Sequence, residues 1–212
     1  MPADDVWIVG VHMTKFGKRP DTDVVGLAAE AAIGALADAQ MTMKDVGVLA
    51  AGNQMEAGAR LGQRLQKQIG QTGIPVYNVV NACATGATAV RTAIMAIKSG
   101  ECDVGLAVGA EQIAGVGLLS GKPREQDLDR WIPQGPYDAV ASLDGRAGTD
   151  SMPGIFAQIG MEYAARHGEF DVSVFARIAE KNHAHSVLNP LATYQRRFTL
   201  EEILHEPMIA YP

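Results

Sequence analysis

Cysteine is scarce in this chain, which carries only Cys83 and Cys102 among its 212 residues. Two cysteines cannot form the dense disulfide framework of a small secreted protein, so we expect free thiols and a reducing compartment. No apolar run approaches the about 20 residues that cross a bilayer. The first ten residues, MPADDVWIVG, also lack the layout of a secretory signal. We therefore expect a cytoplasmic protein without a membrane span.

Positively charged side chains are also fewer than negatively charged ones. The chain has 18 Lys and Arg against 24 Asp and Glu, a formal net charge of −6. Nucleic acids and anionic membranes attract cationic surfaces, so this balance argues against a general binder of either. Hydrophobic residues make up 47% of the chain and charged residues 20%, a composition typical of a globular protein with a sizeable core.

What the chain does have, over its first hundred residues, is a regular alternation of two kinds of segment. Helical spacing of apolar residues predicts helices after Asp23 to about residue 40, at 59–69 and at 84–98. Short apolar runs predict strands, at residues 6–11, 46–51, 75–80 and 104–108. Strands that alternate with helices indicate a layered α/β fold with a largely parallel sheet.

The pattern changes after Glu111. Residues 114–154 are rich in Gly, Pro and Asp and show little periodicity, which is unusual inside a compact domain and favours a functional excursion. Helices are predicted beyond it, near residues 154–166, 172–185 and 200–205. We therefore divide the chain into an α/β core at 1–111 and a helical covering subdomain at 112–212.

The stretch NACATGA, residues 81–87, places Cys83 where a predicted strand gives way to a predicted helix. The N–H groups and the macrodipole of a helix N-terminus stabilise a thiolate and lower the pKa of a cysteine. A thiolate there attacks thioesters, and Gly86 and the small residues around it leave room for a substrate. A small buried thiol that packs the turn is the alternative interpretation. Asn81 is predicted to shape the turn by a side-chain-to-backbone bond or to bind substrate.

Residues 73–113, with the NACATGA turn, resemble the nucleophile region of thiolases. VGVHMTKFGK at 9–18, GQRLQKQIGQTGIP at 62–75 and KNHAHSVLNP at 181–190 resemble the SCP2-type, or lipid-transfer-protein, thiolases in particular. The resemblance implies that Cys83 accepts an acyl group from coenzyme A, in cleavage of a 3-oxoacyl-CoA or the reverse Claisen condensation. It implies an acyl-CoA substrate and no metal or redox cofactor.

Four candidates for substrate binding lie in the later helices. Phe156 and Met161 are candidates to line an acyl pocket, because the covering subdomain of the family lies over the thioester; packing in the core is the alternative. His183 and His185 of KNHAHS are candidates for the mouth of the active site, or are histidines favoured by a helix C-terminus. Two positions apart on a helix, they face in different directions and do not form a metal site together.

The resemblance covers only the N-terminal half of a thiolase. The second half of the family supplies a Gly-His-Pro motif, a further His or Asn motif and usually a second cysteine, and none can be placed here. Each half is implied to contain a five-stranded mixed sheet in the order 3-2-4-5-1, with strand 5 antiparallel. Because only four strands are predicted, we expect the fifth to be absent from this chain. A C-terminal half on another polypeptide would complete the protein, and a homodimer or larger oligomer is implied.

Three functional interpretations follow. The first is the nucleophile-bearing part of a thiolase, incomplete as an enzyme on its own. The second is a non-catalytic scaffold subunit of an acyl-CoA-processing complex. The third, a ketoacyl-synthase-like enzyme, is disfavoured by the KNHAHS stretch. Cys102 lies between Glu101 and Asp103, whose charges raise the pKa of a thiol, so it is interpreted as structural.

Overall fold

A computed structural model of the chain describes residues 5–113, 152–168, 171 and 173–207. They fall in two compact units, Met1–Gln112 and Ile113–Pro212. The excursion predicted over 114–154 lies outside the described residues as far as residue 151, and the roles of core and covering subdomain stay predictions. No described helix is both long and apolar enough to span a membrane.

The first unit is built on a parallel sheet of three strands, in the order β2-β1-β3. They are β1 (Val48–Gly52), β2 (Val76–Val79) and β3 (Gly105–Gly109). In the central strand, Leu49 is paired with Val76 of β2 and with Leu106 of β3. The α/β fold is confirmed, as is the neighbour order of the last three predicted strands. All described pairings are parallel, and no fifth strand lies among the described residues.

Helices cover both faces of this sheet. They are α1 (Val24–Asp38), α2 (Leu61–Ile69) and α3 (Thr85–Lys98). Side chains of α1 and α2 form one hydrophobic cluster with Leu49, Ala51 and Leu106 of the sheet. Residues alternate between faces along a strand, and the other face meets α3: a Cβ added at Gly105 would lie 3.1 Å from the Cβ of Ala93. The core is therefore a three-layer α/β/α arrangement.

Local chemistry explains where α1 begins. The side chain of Asp23 accepts a hydrogen bond of 2.8 Å from the backbone N–H of Gly26, as a cap residue does at the first turn. The helix is rich in alanine, and Ala28, Ala29 and Ala32 are buried against the sheet. The predicted cap is thereby confirmed.

The first predicted strand, residues 6–11, is wrong. These residues form no strand, and Trp7 and Ile8 are 69% and 79% exposed. The segment is held on α1, where the backbone N–H of Val11 donates to Asp38 at 2.9 Å. An apolar run becomes a strand only when a neighbouring strand pairs with its backbone, and a groove separates this run from β3. The groove, of about 420 Å³, is lined by residues 6–12 on one side and by β3 on the other.

The second unit contains three described helices: α4 (Met152–His167), α5 (Ser173–Ser186) and α6 (Leu200–His205). Helix α6 packs against α5. It begins with a capping box in which the hydroxyl of Thr199 accepts from Glu202 N at 3.2 Å and Thr199 N donates to the Glu202 carboxylate at 2.8 Å. The three predicted helices are confirmed, with small differences at their ends.

Candidate active site

Cys83 lies in a short 3₁₀ turn, Ala82–Ala84, which follows β2 and leads directly into α3 at Thr85. The side chain is exposed as a free thiol, so the interpretation as a buried packing residue is wrong. The predicted position at the start of the helix holds, but the tight turn rather than α3 itself carries the cysteine. In open α/β sheets, ligands bind beyond the carboxyl ends of the strands, which is where this turn lies.

The residue before the cysteine has an unusual backbone conformation. Ala82 has φ +44°, in the left-handed region that costs a residue with a side chain about 1 kcal/mol or more. The side-chain oxygen of Gln54 accepts a hydrogen bond of 3.1 Å from Ala82 N. The carbonyl of Ala82 accepts a hydrogen bond of 2.7 Å from the hydroxyl of Thr85. Hydrogen bonds on both sides thus hold the strained residue.

Thr85 is the inner support of the turn. It is only 7% exposed, and its hydroxyl also accepts a hydrogen bond of 2.8 Å from Asn81 N. The opposing residue of the sheet is Gly52, at which an added Cβ would lie 2.8 Å from the methyl carbon of Thr85. The absence of a side chain at Gly52 therefore lets the start of α3 approach the end of β1 closely.

The residues after β1 and β3 are joined through one carboxylate. Glu111 accepts hydrogen bonds from the backbone N–H groups of Gln54 at 2.8 Å and Met55 at 3.1 Å. It also accepts one of 3.0 Å from the side chain of Asn53. A carboxylate that accepts several N–H groups forms strong, charge-assisted bonds. Glu111, which lies just after β3, therefore fixes the backbone at Gln54 and Met55.

Asn53 is the buried member of this network, with 4% of its surface exposed. Its side-chain N–H also donates to the carbonyl of Ala110 at 2.8 Å, and its side-chain oxygen accepts from Glu56 N at 2.7 Å. Among the residues that the structure describes, the buried polar ones are Asn53 and Thr85. Both support the cysteine turn or the loop that contacts it.

Four residues of this network were not predicted from the sequence: Asn53, Gln54, Thr85 and Glu111. The available signal was their position, since GNQ at 52–54 and GAEQ at 109–112 directly follow predicted strands. Carboxyl ends of neighbouring parallel strands meet at one edge of the sheet, so polar residues there were candidates for contacts with the cysteine turn.

With this geometry established, similarity to known proteins identifies the family. The family model of the thiolase N-terminal domain matches residues 6–192. The chain belongs to the thiolase family.

Sterol carrier protein 2 is among the curated relatives of this chain. The protein from Gallus gallus is 36% identical over 203 residues, which cover 94% of this chain and 36% of that protein. Acetyl-CoA acetyltransferase from Methanothermobacter thermautotrophicus is 29% identical over 216 residues, covering 98% of this chain and 52% of the relative. This chain thus spans about a third to a half of the length of these relatives.

One solved structure shares the fold over almost the whole chain. It is the Ltp2-ChsH2(DUF35) aldolase, with a TM-score of 0.67 and 23% identity, and the likeness covers 97% of this chain and 50% of that chain. This likeness supports the thiolase-like fold.

The other predicted site residues of the thiolase core differ in their surroundings. The Asn81 side chain donates to the hydroxyl of Thr88 at 3.0 Å, so it bonds to a side chain rather than to the backbone as predicted. Gly86 is exposed, and a Cβ added there would have no atom within 4 Å. Gly86, three positions after Cys83 in the chain, therefore has open space around its Cα.

The four remaining candidates belong to the second unit. Phe156 is 63% exposed and Met161 is half-buried, both on α4. The ring of His183 lies 4.5 Å from that of Phe198 and 5.3 Å from that of Tyr194, while His185 is exposed. His183 therefore has aromatic packing partners within its own unit. Substrate binding by these four residues stays a prediction.

Cys102 differs from Cys83 in environment. Burial raises the pKa of its thiol, and the charges of Glu101 and Asp103 raise it further. The effect of the two carboxylates on this pKa was predicted from the sequence, whereas burial, the larger cause, was not. A thiol with a raised pKa is a poor nucleophile at neutral pH.

Proposed function

We propose that this chain is the nucleophile-bearing N-terminal part of an acyl-CoA thiolase, in which Cys83 exchanges an acyl group with coenzyme A. The observation that carries the proposal is the exposed thiol of Cys83 in a strained turn at the carboxyl end of β2. That turn is tied by hydrogen bonds to the loop after β1, and a nucleophile needs such fixed placement.

In the cleavage direction, the thiolate of Cys83 attacks the 3-oxo carbon of a 3-oxoacyl-CoA. The bond between carbons 2 and 3 breaks, its electron pair forms the enolate of acetyl-CoA, and a proton is added at carbon 2. The shortened acyl group remains on the sulfur as a thioester until the thiol of a second coenzyme A displaces it. The acid and base for the proton steps would come from the second half of the thiolase.

Six of the predicted residues are proposed to place the substrate. Gly86 leaves the approach to the sulfur open, and Asn81 lies at the start of the turn. On the second unit, Phe156 and Met161 are proposed to contact the acyl chain, and His183 and His185 the mouth of the site. The names of the relatives, sterol carrier protein 2 and acetyl-CoA acetyltransferase, support a lipid acyl-CoA as the substrate class. The free thiols agree with a cytoplasmic location.

The groove in the first unit offers a surface for a partner chain. The groove between residues 6–12 and β3 has exposed apolar side chains on one side. On the other side is the edge of β3, which pairs with no further strand among the residues that the structure describes. Such an edge pairs readily with another strand. We propose that an extended segment of the C-terminal thiolase half occupies it, within a homodimer or larger assembly. The solved structure with a similar fold, the Ltp2-ChsH2(DUF35) aldolase, has two named components.

Intact mass spectrometry tests the acyl transfer. The full chain is incubated with a short-chain acyl-CoA, alone and with a candidate C-terminal half. We expect a gain of one acyl group, retained in Cys102→Ala and lost in Cys83→Ala. If no adduct forms on Cys83 in either condition, the chain is a scaffold subunit and the acyl-transfer proposal fails.

Trp7 reports on the groove. It is 69% exposed and lines the groove, so filling the groove with protein should shift its fluorescence to shorter wavelengths. Trp131→Phe isolates the Trp7 signal. An unchanged Trp7 spectrum in a complex with the C-terminal half would place that half elsewhere.

A further inference from the structure

We propose that Gln54 is a positioning residue for the Cys83 turn, and that its neutral amide oxygen is what the site requires. The inference rests on the proposed acyl transfer at Cys83 and adds a residue to that site. Gln54 lies 28 positions before Ala82, yet its side-chain oxygen accepts the Ala82 N–H at 3.1 Å.

The support behind Gln54 is rigid. Its own backbone N–H donates to Glu111 at 2.8 Å, and the preceding residue, Asn53, is buried and donates to the same carboxylate at 3.0 Å. A continuous path of hydrogen bonds therefore leads from the end of β3, through the loop after β1, to the residue before Cys83. Supports of this kind hold a reactive group within the small tolerance that catalysis allows.

The hydrogen bond from Ala82 N to Gln54 acts on a residue with a strained backbone. Ala82 has a left-handed φ of +44°, and the peptide N–H that Gln54 fixes sets one side of that torsion. The Thr85 hydroxyl fixes the carbonyl on the other side. If Gln54 no longer held the N–H, the peptide before Ala82 would keep the 2.9 Å bond from Ala84 N to the Asn81 carbonyl but lose its restraint at the other end, and we expect the Cys83 turn to shift. A misplacement of about 1 Å can cost about 100-fold in rate.

The chemical identity of residue 54 also matters. The amide oxygen of glutamine accepts the Ala82 N–H without bringing a negative charge to the turn that carries Cys83. A carboxylate there would accept the same hydrogen bond but would disfavour the thiolate. The carboxylate in the network, Glu111, is linked to the turn through the backbone N–H of Gln54. Residue 54 therefore has two separate roles, to accept the hydrogen bond and to remain uncharged. A pair of variants tests each role.

The test uses Gln54→Met, which keeps the length of the side chain but removes the acceptor, and Gln54→Glu, which keeps an acceptor and adds a charge. The acylation rate of Cys83 by a short-chain acyl-CoA and its alkylation by iodoacetamide are each measured against pH. The matched control is Gln63→Met. Gln63 lies on α2, and its side-chain oxygen also accepts a hydrogen bond, of 2.7 Å from the side chain of Asn78.

We expect Q54M to acylate about tenfold more slowly or worse at every pH, because the turn is misplaced. Q54E should approach the wild-type rate at high pH, with its acylation and alkylation profiles displaced to higher pH. Q63M should match the wild type in both profiles. If Q54M does not fold, Gln54→Asn, whose shorter side chain falls short of the Ala82 N–H, replaces it.

Wild-type acylation by Q54M across the pH range would overturn the proposal. Equal slowing of Q54M and Q54E with no displacement of the pH profile would also overturn it, because any disturbance of the loop would produce that result. The failure of acyl transfer is distinguishable: the wild type would then form no acyl adduct, while alkylation would still report whether Gln54 controls the Cys83 thiol.

Discussion

The side-chain oxygen of Gln54 and the backbone N–H of Ala82, 3.1 Å apart, join the loop after β1 to the turn after β2. The three described strands are parallel, so their carboxyl ends meet at one edge of the sheet. The cysteine turn is therefore supported by residues from two other strand ends. Its geometry depends on the core sheet as a whole.

The two thiols should differ sharply in reactivity. Cys83 is exposed, whereas burial raises the pKa of Cys102, so iodoacetamide at neutral pH should label Cys83 first. Peptide mapping by mass spectrometry gives the two rates. Cys83→Ala should leave only the slow phase, and Cys102→Ala only the fast one. Faster labelling of Cys102 in the folded protein would contradict the described environments.

Gly86→Ala should separate folding from function. The added methyl group meets no atom within 4 Å, and alanine favours a helix over glycine by about 0.5–1 kcal/mol, so thermal stability should be kept or raised. Because Gly86 is proposed to leave the approach to the sulfur open, acylation of Cys83 by an acyl-CoA should slow when a methyl group narrows that approach.

Gly58→Ala is the matched control for that substitution, since an added Cβ there also meets nothing within 4 Å and lies outside the cysteine turn. Its acylation rate should equal that of the wild type. An acylation rate in Gly86→Ala equal to the control would show that substrates do not approach along that side.

Asn53→Ala should destabilise the first unit. The substitution removes the hydrogen bonds that the buried Asn53 side chain makes with Ala110, Glu111 and Glu56, and each such bond contributes about 0.5–1.5 kcal/mol net. We expect the free energy of unfolding in urea to fall by about 2 kcal/mol or more. Asn189→Ala, at an exposed turn, should cost much less. Equal losses in the two variants would contradict the network.

Asp45 gives a pH dependence. The backbone N–H of Thr42, followed by its hydroxyl, lowers the pKa of the Asp45 carboxyl, with both bonds at 2.8 Å. Because folding lowers this pKa, the carboxylate stabilises the protein above the ordinary aspartate pKa, and this contribution is lost as the pH falls through the lowered value.

Asp45→Asn should therefore be less stable than the wild type at pH 7, with a difference that narrows in acid. Urea unfolding across that pH range measures it. Thr42→Val, which keeps the backbone donor and removes the hydroxyl, should fall between the two. A difference between wild type and Asp45→Asn that is constant with pH would show that the bonds do not depend on the charge.

The elements that depend on local pattern were predictable. Asp23 caps α1 as predicted, and the small residues of NACATGA lead into α3 with Cys83 exposed. Spacing and capping are properties of neighbouring residues, so the sequence carries them directly. The order of the last three predicted strands came from the resemblance to thiolases, and the structure confirms it.

What the sequence did not predict depends on residues far apart. Residues 6–11 have the composition of a strand, but composition does not reveal whether a partner strand lies beside them. The bonds from Gln54 to Ala82 and from Asn53 to Glu111 join positions 28 and 58 residues apart. No periodic pattern marks such pairs, and only the assembled sheet brings them together.

Glycines on one face of the sheet determine how near α3 lies. Added Cβ atoms at Gly52, Gly105 and Gly109 would come within 3.2 Å of α3 residues, so this helix rests almost directly on the backbone of the strands. In a relative with bulkier residues at these three positions, α3 would have to lie farther from the sheet, and the cysteine turn before it would be displaced as well. Glycine at these three positions therefore indicates which relatives keep the same distance between the cysteine turn and the sheet.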